Sequence, residues 1–112
     1  MPTQLRILLD ESVPRLVKTR LPALDIRTVQ EMGWAGAKNG ALLVLAETRF
    51  DVFVTADKRL RYQQNLKDRQ LAVVVLPSTQ APIVATLLPT IERVLRSIQP
   101  ATIVEIPLGG IP

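Results

Sequence analysis

Residues 71–76 read Leu71-Ala72-Val73-Val74-Val75-Leu76, a wholly apolar run with three consecutive valines. Short β-branched runs of this kind are typical of strands. A strand without polar residues belongs to the interior of a parallel sheet, because helices cover both faces of such a sheet. The run therefore predicts a central, buried strand in an α/β fold.

The chain on both sides of this run alternates short apolar runs with helical stretches, which is the signature of a parallel α/β sheet. The strand that follows the central run alternates apolar and polar residues, so it is predicted to lie at an edge. Four strands are predicted besides the central one: residues 5–9, 25–29, 51–55 and 102–106.

Three helices are predicted between these strands. The first is capped by Ser12 and carries Pro14 in its first turn, where the missing N–H of proline costs nothing. The second covers residues 40–48, with Asn39 as its N-cap. The third covers residues 82–98 and is predicted to contain a kink or a break, because Pro89 lies within it.

The second helix and the loop before it are unusually apolar. Residues 41–46 leave no polar face on the helix, which predicts that both of its faces contact protein, either within the subunit or in part at a dimer surface. Trp34, in a loop with two glycines, is predicted to plug one edge of the core. The tail of residues 107–112 is predicted to be irregular.

The composition excludes several classes of chemistry. The 112 residues form one domain by length, and they include no cysteine and no histidine. Disulfide frameworks, thiolate or imidazole zinc sites and Ser-His-Asp hydrolysis are therefore excluded. Catalysis, if present, must use carboxylates, hydroxyls, amines or a hard metal ion.

The composition also bears on location and partners. No signal peptide is visible, and no stretch approaches the roughly 20 apolar residues that span a bilayer, so we expect a cytoplasmic protein without a membrane partner. The net charge is +4 and the pI is about 10.1, a balance that favours polyanionic partners such as nucleic acid.

Carboxylates follow two of the predicted strands. Asp10 and Glu11 come after the first strand, and Asp57 comes after the third. Open parallel sheets bind ligands at the carboxyl ends of their strands, and these two strands are expected to be neighbours at the switch point. A divalent cation would relieve the repulsion between converging carboxylates, and all-oxygen ligands suit Mg²⁺ or Mn²⁺. The alternative is that each carboxylate caps a helix or a turn.

A basic segment follows Asp57. It combines cations, which could contact phosphates, with Tyr62, which could stack on a base. The alternative is a solvated loop, which is the usual meaning of a charge run. The cations are Lys58, Arg59, Arg61, Lys67 and Arg69.

Four sequence segments share their order with one known family: Ile7-Leu8-Leu9-Asp10-Glu11 with Pro14, Gly33-Trp34-Ala35-Gly36 with Lys38-Asn39-Gly40, Phe50-Asp51-Val52-Phe53-Val54-Thr55-Ala56-Asp57, and Tyr62-Gln63-Gln64-Asn65-Leu66. The chain resembles the PIN-like family of predicted toxin–antitoxin nucleases over about residues 5–76. The resemblance implies a three-layer α/β/α sandwich with a mainly parallel sheet. It also implies a metal-dependent ribonuclease that is a toxin, is held inactive by a cognate antitoxin protein and forms a homodimer.

The resemblance assigns roles to individual residues. Asp10 and Asp57 match the family's metal-binding aspartates, and Glu11 and Asn39 are expected to support the metal directly or through water. The residues expected to contact RNA are Lys38, Lys58, Arg59, Arg61 and Tyr62. The chain departs from the family in two places, since Arg59 and Asn39 stand where many relatives carry carboxylates.

Two other functions fit the same residues. The domain could be a non-catalytic module that binds RNA or the antitoxin, because two expected carboxylates are missing. It could also be a receiver-like domain with Asp57 as phosphoacceptor and Ser78 or Thr79 as the hydroxyl after the fourth strand. Against the receiver, no lysine follows the fifth strand, where phosphoacceptor chemistry requires one.

Overall fold

A computed structural model describes residues 4–59 and 70–110 of the chain. The strands in these residues are β1 (Arg6–Leu9), β2 (Asp25–Thr28), β3 (Val52–Thr55), β4 (Ala72–Val75) and β5 (Ile103–Glu105). The helices are α1 (Leu16–Arg20), α2 (Asn39–Arg49), α3 (Ala81–Thr86) and α4 (Leu88–Ser97). Each predicted strand is present and is one or two residues shorter than the sequence suggested.

All five strands pair in parallel, in the order β2-β1-β3-β4-β5. This confirms the predicted α/β sheet, the interior position of β4 and the edge position of β5. From β1 the chain first moves to one side, to β2, and then returns past β1 to β3. The order therefore reverses between β1 and β3, and the carboxyl ends of these two strands frame the crevice where ligands bind in such sheets.

Helices cover both faces of the sheet, which confirms the three-layer sandwich. Alternation along each strand sends neighbouring side chains to opposite faces. On one face, Ile7 and Leu9 of β1 pack in a core that includes Val17 of α1, Val84 of α3 and Ile91 of α4. On the other face, the core consists of residues from β1, β3, β4, α2 and the loop before α2: Leu8, Val29, Leu42, Leu43, Ala46, Phe50, Phe53, Leu71, Val73 and Val75.

Helix α1 begins later than predicted, at Leu16, and Ser12 is not its cap. The Ser12 hydroxyl instead donates a hydrogen bond to Asp10 Oδ2 at 2.8 Å and accepts one from the Ala56 N–H at 3.1 Å. Pro14 precedes the helix rather than lying in its first turn. The prediction failed because a hydroxyl that can cap a helix can equally serve a partner that is distant in sequence.

Helix α2 begins at Asn39 itself, with Lys38 at the cap position, so the predicted cap is one residue off. Its inner face is buried, but Val44 is 52% exposed and Leu45 is 36% exposed. Within the described residues of one subunit, only the inner face of α2 is therefore buried. That the outer face contacts another protein stays a prediction.

The long helix predicted near the C-terminus is split, as the proline suggested. Helix α3 ends at Thr86 and α4 begins at Leu88, which places Pro89 in the first turn of α4, where a proline is tolerated. Residues 106–110 contain no helix or strand, which agrees with the predicted irregular tail. No helix in residues 4–59 or 70–110 is long and apolar enough to cross a membrane.

A local hydrogen-bond ring closes the turn after β2. Glu31 Oε1 accepts the Thr28 N–H at 2.9 Å, and the Thr28 hydroxyl accepts the Glu31 N–H at 3.1 Å. Lys18 of α1 donates to the same Glu31 oxygen at 2.6 Å. The hydrogen bonds from Lys18 and from the Thr28 N–H lower the pKa of Glu31 from 4.5 to about 2. The carboxylate therefore joins the turn to α1 in its charged form.

Replacing Glu31 with glutamine is expected to lower the free energy of unfolding by about 1 kcal/mol at pH 7, a value reduced for solvent screening because the side chain is about one third exposed. Because the pKa of the folded state is depressed, this stabilisation is complete above about pH 4.5 and is lost as the pH falls to about 2. Urea unfolding at pH 7 and pH 3 measures the difference. Glu92→Gln, which breaks an exposed pair with Arg96 on α4, serves as the control and should cost less. A Glu31 effect that does not shrink at pH 3 would contradict this assignment.

Candidate functional site at the carboxyl ends of β1 and β3

Asp10 and Asp57 follow the two strands that frame the switch point. Asp10 comes directly after β1, and its N–H donates to the Val54 carbonyl of β3 at 2.9 Å, which continues the pairing of the two strands by one residue. Asp57 lies two residues beyond the end of β3. The expectation that the two aspartates follow neighbouring strands at the same edge of the sheet is therefore confirmed.

Two hydroxyls connect the aspartates. Asp10 Oδ2 accepts hydrogen bonds from Ser12 Oγ at 2.8 Å and from Thr55 Oγ1 at 2.9 Å. The Thr55 hydroxyl also accepts the Asp57 N–H at 3.0 Å, while Ser12 Oγ accepts the Ala56 N–H. Thr55 is fully buried, so its hydroxyl depends on these partners for its hydrogen bonds. The network fixes the Asp10 carboxylate against the end of β3.

The two oxygens of Asp10 differ. Oδ2 receives both hydroxyl hydrogen bonds, whereas Oδ1 accepts no hydrogen bond from the part of the chain that the structure describes. Asp10 itself is half-buried. The hydrogen bonds to Oδ2 thus hold the carboxylate in position without engaging Oδ1.

Asp57 is held by Arg59. Asp57 Oδ1 accepts the Arg59 N–H and Nε–H, both at 3.0 Å, and Oδ2 accepts from Nη2 at 2.9 Å. The Asp57 side chain is only 17% exposed, whereas the Arg59 side chain is 84% exposed. The hydrogen bond to Asp57 raises the pKa of the Arg59 guanidinium. The second carboxylate is therefore balanced by an arginine on the solvent side.

Of the other predicted site residues whose side chains the structure describes, Glu11, Lys38 and Lys58 form no hydrogen bond with this network. Glu11 turns away, because its Oε1 accepts the Gly36 N–H at 2.8 Å and so anchors the loop before α2. Asn39 is the first residue of α2, and its side chain lies outside the described atoms. Lys38 and Lys58 are exposed. Arg61 and Tyr62 fall outside the described residues.

Trp34 belongs to the core rather than to the site. Its ring meets the ring of Phe50 edge to face, with centroids 6.1 Å apart and an interplanar angle of 84°. It packs against the core beneath α2. The prediction that Trp34 plugs one edge of the core is confirmed.

The donor atoms at the site suit a hard divalent cation. Residues 4–59 and 70–110 contain no group of three or more Asp, Glu, His or Cys side chains placed to hold a metal ion. Mg²⁺, however, commonly binds one or two carboxylates and keeps several waters. Asp10 and Asp57 are the carboxylates of this site with the chemistry for such binding, and Arg59 contacts both oxygens of Asp57.

Ser12 and Thr55 are the site residues that the sequence analysis did not assign. Each lies two positions from an aspartate, in the patterns Asp10-x-Ser12 and Thr55-x-Asp57. That spacing brings a short hydroxyl side chain back toward the same strand end. The matching pair of patterns was the signal that could have identified them.

No known protein family, curated protein or solved structure matches the chain.

Proposed function

We propose that the chain is a metal-dependent endoribonuclease with a PIN-like domain. The observation that supports this is the convergence of Asp10 and Asp57 at the switch point of the sheet, linked through the buried hydroxyl of Thr55. Two carboxylates from neighbouring strand ends would supply oxygen ligands of the kind that Mg²⁺ and Mn²⁺ prefer. Phosphodiester hydrolysis is the chemistry that such a site serves most directly.

In this proposal the residues at the site have separate roles. Ser12 and Thr55 orient the Asp10 carboxylate, so that Oδ1 points to the ligand. Asp57 supplies the second carboxylate. A bound Mg²⁺ or Mn²⁺ would activate water and offset the negative charge of the phosphodiester. Glu11 supports the site indirectly, by fixing the loop before α2 at Gly36.

The exposed cations near the site would hold the RNA backbone. Arg59 contacts Asp57 directly, and a phosphate that attracts its guanidinium would weaken this contact in favour of the metal. RNA would then help to assemble the site to which it binds. The other residues assigned to RNA are Lys38, Lys58, Arg61 and Tyr62, while Asn39 is assigned to the support of the metal.

We also propose a cytoplasmic toxin that forms a homodimer and is restrained by a cognate antitoxin protein. The apolar outer face of α2, with Ala41, Val44 and Leu45 exposed, is compatible with a protein contact. Its three side chains are neighbours on one side of the helix.

A second candidate is a binding module that retains the fold without catalysis. The observation that favours it is the Arg59 guanidinium, which contacts both oxygens of Asp57. In this case the arginine replaces the metal permanently, and RNA or the antitoxin binds without being cleaved. The receiver-like alternative shares the strand order β2-β1-β3-β4-β5, but Ile106 and Pro107 follow β5 where a receiver needs a lysine.

Manganese titration by calorimetry tests the proposal. We expect one saturable Mn²⁺ site in the parent protein. Asp10→Asn and Asp57→Asn should each weaken this binding by more than about 100-fold, because even residues that only support a ligand contribute roughly 10–100-fold to metal affinity. Both variants should also lose cleavage of a single-stranded RNA oligonucleotide in Mn²⁺ buffer.

The variant Arg59→Gln separates the two candidate functions. If the arginine competes with a metal, its removal should tighten Mn²⁺ binding by roughly tenfold, since one neighbouring unit charge changes a site by about 1–4 kcal/mol. Glu92→Gln, on the surface of α4, is the control and should leave metal affinity unchanged. If neither the parent nor Arg59→Gln binds Mn²⁺ at millimolar concentrations, the ribonuclease is excluded and the binding module remains.

A further inference from the structure

A cavity of about 330 Å³ lies at the opposite edge of the sheet, where the strands begin. It sits beside the C-terminal end of α2, away from Asp10 and Asp57. Its walls combine three arginines with one acidic, one hydroxyl and two apolar side chains: Arg6, Asp25, Arg27, Met32, Thr48, Arg49 and Phe50.

The cavity exists because α2 does not cover the edge strand β2. The register pairs Arg6 with Asp25 and Leu8 with Arg27, so these four side chains share the α2 face of the sheet. Leu8 is buried beneath α2, but Arg6 and Arg27 are more than half exposed. A parallel sheet is normally covered by helices on both faces. Here the part of the α2 face that no helix covers is lined by charged side chains.

The guanidinium groups in the cavity keep most of their hydrogen-bond donors available. Arg6 Nε and Nη2 donate to Asp51 at 3.3 Å, which orients that side chain. Arg27 is 3.8 Å from Asp25, which is too far for a direct hydrogen bond. Arg49 forms no ion pair or side-chain hydrogen bond within the described ranges. Each guanidinium carries five N–H donors in a planar fork that matches phosphate oxygens.

The size and the apolar wall of the cavity limit what can bind. Its volume lies at the lower end of the 300–1,000 Å³ range that is typical of small-molecule sites. Phe50 and Met32 form an apolar side next to the arginines. A ligand that combines a flat apolar group with a phosphate, at about the size of one nucleotide, matches both features.

We propose that this cavity binds one nucleotide, with its phosphate on Arg49 and Arg27 and its base against Met32 and Phe50. This site uses none of the residues of the proposed metal site, so it stands whether or not the protein is a ribonuclease. The nucleotide can be free, or it can be part of an RNA strand that also reaches the other edge of the sheet.

Titration of the ¹⁵N-labelled protein followed by NMR tests the proposal. The probes are inorganic phosphate, adenosine 5′-monophosphate and a single-stranded RNA oligonucleotide. We expect adenosine 5′-monophosphate to cause saturable shifts of the amides at Arg27, Thr48 and Arg49. If the mononucleotide saturates the shifts, a free nucleotide is sufficient for binding. If only the oligonucleotide does so, the ligand is a nucleotide within an RNA strand.

Paired arginine variants provide the control. Arg49→Gln should weaken nucleotide binding about tenfold, which corresponds to the loss of one hydrogen bond to a charged group. Arg20→Gln removes the same charge from the last turn of α1, on the other face of the sheet, and should leave binding unchanged. Equal weakening by both variants, or no shifts with any probe at about 10 mM, overturns the proposal. Asp10→Asn should bind the nucleotide as the parent does, which separates this result from that of the metal titration.

Discussion

Thr55→Val is expected to lower the free energy of unfolding by about 3 kcal/mol, although the two side chains have nearly the same shape. Thr55 is fully buried, and its hydroxyl donates to Asp10 Oδ2 and accepts the Asp57 N–H. A hydrogen bond to a charged group contributes about 1.5–3 kcal/mol, and a buried group left without its partner adds a further cost. Valine removes both interactions at once.

Urea unfolding of Thr55→Val measures this loss, and two variants control for it. Thr55→Ser keeps the hydroxyl and should cost only about 1 kcal/mol, for the lost methyl group. Thr86→Val removes an exposed hydroxyl that bonds within α3, and its effect should stay within about 0.5 kcal/mol. If Thr55→Val is as stable as Thr55→Ser, the hydroxyl does not hold the two strand ends together in solution.

Phe53→Ala should have the largest effect on stability, a loss of about 4 kcal/mol. Phe53 is fully buried at the centre of β3, where it pairs with Leu8 of β1 and Val73 of β4. Its ring belongs to the core beneath α2. Removing it leaves a cavity that the surrounding strands cannot close, because each is held by hydrogen bonds on both sides.

Thermal unfolding followed by circular dichroism measures the effect of Phe53→Ala. We expect a fall in Tm of roughly 15 °C, since about 1 kcal/mol corresponds to several degrees in a domain of this size. Val44→Ala, which shortens an exposed apolar side chain on α2, is the control and should change stability by less than about 0.5 kcal/mol. A small effect of Phe53→Ala would mean that the core beneath α2 is loosely packed.

The strands could be predicted from the sequence because their signal is local. Runs such as Val52-Phe53-Val54 are apolar and β-branched, and nothing elsewhere in the chain changes what they form. The cap of α1 could not be predicted, because the Ser12 hydroxyl can either cap a helix or bond to a distant backbone group. Its actual partner, the Ala56 N–H, is distant in sequence. Local patterns thus predicted the strands but not the hydrogen-bond partners of short polar side chains.

The same distinction applies to the candidate site. The placement of Asp10 and Asp57 at the same edge of the sheet could be predicted, because the carboxyl ends of neighbouring parallel strands lie together at the switch point. The bidentate contact between Arg59 and Asp57 was not predicted, because the segment after Asp57 was interpreted either as a surface for RNA or as a solvated loop. The cavity with Arg6, Arg27 and Arg49 was not foreseen either. Its walls come from two strands and a helix whose register no local pattern reveals.

The strand order has a consequence for how the chain reaches its folded state. Ile7 of β1 pairs with Ile26 of β2 on one side and with Val52 of β3 on the other. Neighbouring strands are never joined by a tight hairpin, so every pairing must close a loop before its contacts form, which makes folding intrinsically slow. During synthesis β1 emerges before the other four strands, and the backbone N–H and C=O groups on its β3 side stay unpaired until β3 leaves the ribosome. This interval is when the chain is most exposed to aggregation and to capture by a chaperone.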